Sequence, residues 1–318
     1  MRFSPLARTI TLRIAGVIVL LAVISFLVYC LLYFAPGDIV SNLIGTKKTD
    51  PAVIAALRAK YGLDGGLWSQ YSNWLGRVLR GDFGTSVQNQ VPVLRVFREK
   101  GGITGILCLL AFVITMVISV PLGVLAARKE GRWQDSLIST VSLVGLSAPA
   151  FVIGLILLYA LAYYLPLFPV YGIGTGFGDH VYHLFLPALA LALGSAAIIV
   201  KLTRTAMIQQ LAGDHVMFAR ARGLSEWRVT RIAVRNAAIP IATSAGLVLT
   251  YLIGGTVLVE ATFSIPGLGS ALENAVQFKD FPVVQFLVLV VALLIAVIML
   301  GVDLLYLVLD PRLRRRTE

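Results

Sequence analysis

Charge is what this 318-residue chain has least of. Asp, Glu, Lys and Arg make up 14% of it, against about a quarter in soluble domains. Cysteine is almost absent. Cys30 and Cys108 each sit within an apolar run, where they read as packing residues and imply neither a disulfide framework nor a metal site. The three histidines, His180, His183 and His215, all lie outside the apolar runs. A serine such as Ser147 therefore has no base for intramembrane hydrolysis. His180 and His183 are spaced i, i+3 but lack a third ligand, so no metal or other cofactor is expected. No GxxxxGK[ST] stretch occurs, so the chain has no phosphate-cradling loop of its own. Nothing here reads as an enzyme.

Apolar sequence fills the space. Hydrophobic residues make up 58% of the chain and the mean hydropathy is +0.87. Uncharged apolar runs of membrane-spanning length recur, which predicts an all-α, polytopic membrane protein. The net charge of +11 flanks these runs and is not interleaved with aromatics on a polar surface. It therefore reads as topology and not as a nucleic-acid footprint.

The first run, Ile14–Phe34, would be about 31 Å long as a helix, enough for one crossing. It is expected to be an uncleaved anchor, stopped by Phe34-Ala-Pro-Gly-Asp38. Residues 35–100 hold nine basic and five acidic residues. Helical periodicity at Pro51–Lys60 and Leu67–Leu79 predicts a small extracytoplasmic helical segment there, outside the bilayer. Residues 101–318 form a five-span core. Its spans are Gly101–Ala127, a long one from Ser136 to about Leu165 kinked at Pro149, Leu184–Val200, Ile239–Val259, and Val283 to about Leu309.

With the N-terminus inside, the four loops and tails on the cytoplasmic side hold seventeen Lys and Arg. The two short opposite loops hold one, Lys279. That asymmetry predicts six transmembrane helices with both termini cytoplasmic. Ion-driven carriers and channels usually keep charges inside their spans. Here only Asp303 does, near a helix end, so a stand-alone secondary carrier or channel is the less favoured alternative.

One polar stretch breaks the second half, residues 201–238, with seven Lys or Arg against Asp214 and Glu226. A helix through Phe218–Arg222, a turn at Gly223-Leu224, and a second helix from Glu226 towards Asn236 are predicted, with Ser225 placed to cap the second. Arg228, Arg231 and Arg235 share one face of that helix, opposite Val229, Ile232, Ala233 and Asn236. A helix–glycine–helix elbow is more than a connection between spans requires. Its apolar side calls for a partner.

Several short motifs, in order, carry a resemblance. They are Tyr33-Phe-Ala-Pro-Gly-Asp38, Tyr61-Gly-Leu-Asp64, Arg80-Gly-Asp-Phe-Gly84, Leu146-Ser-Ala-Pro-Ala-Phe151 and Phe218-Ala-Arg-Ala-Arg-Gly-Leu-Ser225. Arg235-Asn-Ala-Ala-Ile-Pro240, Glu260-Ala-Thr-Phe-Ser-Ile-Pro-Gly-Leu-Gly269, Asp280-Phe-Pro-Val-Val-Gln285 and Leu309-Asp-Pro-Arg312 follow. Together they resemble inner-membrane permease subunits of bacterial peptide-class ABC importers (dipeptide, oligopeptide and nickel type), of the first-permease kind. The broad importer loop begins Glu-Ala-Ala six residues before its glycine. Met217 occupies that position here, so the peptide-class variant, with Ala219 and Ala221 between arginines, is the better fit.

The resemblance implies a type I ABC importer permease fold in the bacterial inner membrane, forming half of a path for peptides or a similar small solute. It implies a second, paralogous permease, two cytoplasmic ATPases and an extracytoplasmic substrate-binding protein as partners. It places the ATPase-coupling loop at Ala219, Arg220, Ala221, Arg222, Gly223, Leu224, Ser225 and Glu226. A gate or binding-protein contact would lie at Phe263, Pro266, Gly267 and Gly269.

Overall fold

The computed structural model describes residues 5–34, 51–53, 55–56 and 65–309. Of the motifs above, Tyr61–Asp64, most of Tyr33–Asp38 and the Asp310–Arg312 end lie outside the described residues, as does half of the helix expected over Pro51–Lys60.

The described residues are almost entirely helical. In chain order they form α1 (Pro5–Phe34), α2 (Leu67–Leu79), α3 (Val93–Arg128), α4 (Trp133–Ser147) and α5 (Ala150–Leu157), which runs on as π-helix over Leu158–Tyr164. Then come α6 (Phe177–Leu211), α7 (Asp214–Ala221), α8 (Glu226–Thr262), α9 (Leu268–Gln277) and α10 (Phe281–Leu309).

Among the described residues, five helices are long and apolar enough to cross a membrane: α1, α3, α6, α8 and α10. Each contains one of the expected runs and most extend past it. Polar residues continue a helix that apolar ones began, because the backbone hydrogen bonds propagate beyond the lipid. The expected second elbow helix and the fifth span prove to be one element, α8, continuous through Pro240.

The third span departs from expectation. The sequence predicts one long helix kinked at Pro149, and instead α4 and α5 meet at 100°. Proline forces the residue before it out of the helical region. Ala148 is accordingly extended (φ −92°, ψ 126°) and Pro149 begins a new helix at φ −57°, ψ 140°. The Pro149 carbonyl then accepts from the amides of Val152 and Ile153. Counting this bent pair as one span brings the total to six among the described residues.

The chain divides into two compact units. One comprises the described parts of Met1–Ile103 with Pro266–Ala296. Val93, Val96, Leu268, Ala271, Val284 and Leu287 are among its core residues, bringing α3, α9 and α10 together. The other comprises Thr104–Ile265 and the described residues from Val297 onward. Its helices approach through small side chains. A Cβ on Gly123 of α3 would stand 2.6 Å from Thr203 Cβ and 2.9 Å from the Val200 carbonyl of α6. Small residues of this kind let membrane helices pack backbone to backbone.

Candidate functional site

The polar stretch of the second half folds as a helix–turn–helix elbow. α7 ends in a Schellman closure: the Gly223 amide donates to the Arg220 carbonyl (2.9 Å) and the Leu224 amide to the Ala219 carbonyl (3.2 Å). Such a closure needs a left-handed residue after the cap, and Gly223 supplies it at φ +74°. Leu224 then folds onto Val216, Ala219 and Val229, giving the apolar contact that accompanies the motif.

α8 starts at Glu226, as its sequence suggests, but Ser225 does not cap it through its side chain. Ser225 is extended, and its carbonyl accepts the Val229 amide at 3.0 Å. The turn is braced from outside. Arg220 donates from Nε to Glu226 Oε1 (3.0 Å) and from Nη2 to Oε2 (3.4 Å). That hydrogen bond holds the Glu226 carboxyl, in the polar stretch before the apolar run, below the usual carboxylate range.

Below the turn, Ala127 of α3, Ala206 and Met207 of α6, and Ala233 and Ala237 of α8 form a buried base. A bidentate ion pair adjoins it: Arg204 donates to both Asp135 oxygens, at 2.6 and 2.7 Å. This pair ties the first turn of α4 to α6, and the Gly131 amide in the short loop after α3 adds a third bond to Asp135. Of the stripe expected on α8, Val229 and Ala233 are buried while Asn236 is exposed; Arg228, Arg231 and Arg235 are exposed together.

Not every residue of the expected coupling loop faces outward. Ala219 is buried against Val229, its smallness letting α7 close on α8. Arg220, Ala221, Arg222, Gly223, Ser225 and Glu226 are exposed, and Leu224 is half-buried. Three residues outside the expected coupling set join them on the surface: Met217, Phe218 and Trp227, the last two 61% and 72% exposed. Two bulky apolar residues flanking a glycine turn, off the packed stripe, were a signal that could have been read.

The second candidate region falls in parts. Phe263 caps the far end of α8 and is buried. Gly154 of α5 makes room for it, since a Cβ there would lie 2.8 Å from the Phe263 ring. One turn earlier, the fully buried Glu260 accepts from Thr104 Oγ1 at 2.6 Å. Its carbonyl accepts the Ile265 amide at 2.8 Å.

In the other unit, Pro266 is exposed, while Gly267 and Gly269 are buried. Gly267 precedes α9, and its carbonyl accepts from the Ala271 amide (3.1 Å) and Ser270 Oγ (3.0 Å). In that unit too, Asp280 is a buried carboxylate that takes Ser86 Oγ at 2.5 Å and the amides of Val87 and Gln88 at 3.0 and 3.3 Å. This latch pins the loop after α2 to the start of α10. His183 stands 3.2 Å from Asp179 within α6, and no metal-binding cluster occurs among the described residues.

Apolar helices, one sharply bent helix pair and a polar elbow braced at a glycine turn mark a helical membrane protein. The chain belongs to the family described as "Binding-protein-dependent transport system inner membrane component", which it matches over residues 119–315. The corresponding N-terminal family matches residues 6–116. It is thus a multi-pass inner-membrane permease of the ABC importer class.

It is 35% identical over 306 residues to "Probable peptide ABC transporter permease protein y4tP" of Sinorhizobium fredii, covering 95% of this chain and 97% of that one. It is 34% identical over 303 residues to the glutathione transport system permease protein GsiC of Escherichia coli, with the same coverage. Among solved structures, the MetNI methionine ABC transporter in inward-facing conformations shares the fold. The TM-score is 0.55 and the identity 16%, over 71% of this chain and 97% of that one.

Proposed function

We propose that this chain is one of two permease halves of an importer for peptides or peptide-like solutes, the class named for two of its relatives. In this reading two cytoplasmic ATPases each engage one elbow, and an extracytoplasmic binding protein delivers the solute. Hydrolysis belongs to the ATPases, and this chain does mechanical work.

The observation that carries the reading is the continuity of α8. One 37-residue helix joins the Gly223 turn to the Phe263 region, about 55 Å at 1.5 Å per residue. The turn and the far end thus belong to one helical element, with Pro240 its one interior proline. At the turn, Phe218 and Trp227 supply the apolar anchors and Arg220 and Arg222 the charged rim expected of a docking surface. Ala221 and Gly223 keep the turn low enough to seat in a cleft. Phe263, Pro266, Gly267 and Gly269 are proposed as the gate or binding-protein contact.

The test is ATP-dependent uptake by variants that still insert. Trp227→Ala and Phe218→Ala should each weaken ATPase association by about tenfold or more, the loss typical of an interface anchor. Gly223→Asp should abolish uptake, because it strains the left-handed position and adds charge at the contact. Normal uptake by Gly223→Asp, with full ATPase association by both alanine variants, would remove the coupling role.

A further inference from the structure

The composition of residues 35–100 places that whole segment outside the bilayer, but the packing of α2 argues otherwise. Trp68 stacks on Phe26 at 5.1 Å, Tyr71 meets Phe26 and Tyr29 edge-on, and Trp74 lies 5.6 Å from Tyr29. Tyr71 Oη is 2.9 Å from Ser25 Oγ, and Tyr29 donates to Gln70 Oε1 at 3.4 Å. These α1 residues are inside the membrane span, well short of its outer end at Phe34. At 1.5 Å per residue, Tyr29 lies about 8 Å and Ser25 about 14 Å below Phe34. The hydrocarbon core is about 30 Å thick. A helix holding those positions cannot ride above the headgroups.

The pattern of α2 agrees. At roughly 100° per residue, its residues fall into three sectors. Gln70 and Trp74 are buried towards the protein. Ser69, Ser72 and Asn73 form an exposed polar sector. Between them, Trp68, Leu75 and Leu79 share one side, with Trp68 69% and Leu79 79% exposed. Water would cover the polar sector at little cost, but the third sector leaves large apolar side chains uncovered.

We propose that α2 is an interfacial helix sunk in the outer leaflet, its Trp68–Leu75–Leu79 side in contact with lipid acyl chains. An amphipathic helix of this kind rests about 5–10 Å below the headgroup boundary, which is the depth of Tyr29. α2 then anchors the outer end of α1 to the bilayer surface, and the partner it fits is lipid.

The test uses the full-length chain in proteoliposomes, with Trp74, Trp133 and Trp227 replaced by Phe so that Trp68 alone reports. Trp68 should lose most of its emission in vesicles of acyl-dibrominated phosphatidylcholine and little to aqueous iodide. Quenching by iodide without quenching by brominated lipid would overturn the proposal, placing α2 in water. Protection from both would overturn it too, showing that a protein surface covers that side. A second readout leaves every tryptophan in place: an environment-sensitive fluorophore on Leu79→Cys should emit blue-shifted relative to the same label on Asn73→Cys, about 120° round the helix. Equal emission at the two positions would contradict the three-sector arrangement.

Discussion

Asp280 shows what a single residue settles here and what a sequence conceals. Its carboxylate is buried and receives three donors from a loop 192 to 194 positions away. The motif around Asp280 was visible in the sequence, whereas its partner Ser86 was not, because nothing local marks a side chain that pairs at such separation. Removing the acceptor would strand buried donors, each costing about 1–3 kcal/mol. Asp280→Ala should therefore lower the thermal stability of the detergent-solubilised chain, the lost bonds together amounting to about 3 kcal/mol. An unchanged melting temperature would show that water replaces the latch. Gly223 is the opposite case. Its left-handed turn was legible from Ala-Arg-Gly-Leu-Ser, because only a few residue types tolerate that conformation. Ala219 was read as part of an outward surface and is packed inward, since exposure depends on which face α8 covers.

At the scale of elements, the apolar runs located the spans and failed at their ends. α8 begins at Glu226 where lipid-length reasoning starts the span at Ile239, because a helix end is set by its cap and turn and not by hydrophobicity. The 100° break between α4 and α5 exceeded a proline kink. Extended Ala148 interrupts the hydrogen-bond ladder outright, and proline alone does not announce whether a helix bends or restarts. The approach of α3 to α6 at Gly123 was likewise hidden, since a glycine in an apolar run has no signature of its neighbour. Gly123→Val would drive side-chain atoms into Thr203 and the Val200 backbone. Overpacking of this sort costs about 1–3 kcal/mol. The variant should insert but melt earlier, whereas Gly254→Val, where nothing lies within 4 Å, should behave as wild type. Equal melting of the two would mean that the helices part freely at that crossing.

At the scale of the molecule, seventeen cationic residues against one set the orientation, and the ordered motifs indicated the family that the comparisons then showed. The partners belong to other chains, and this chain contributes only the surface they would occupy. The most direct measurement is a mild-detergent purification of the tagged chain from its native host, with mass spectrometry of what accompanies it, repeated for Trp227→Ala. The account predicts a second permease and ATP-binding subunits in near-stoichiometric amounts with the wild-type chain, and loss of the ATP-binding subunits with the variant. Recovery of this chain alone, active in proteoliposomes without ATP, would contradict it.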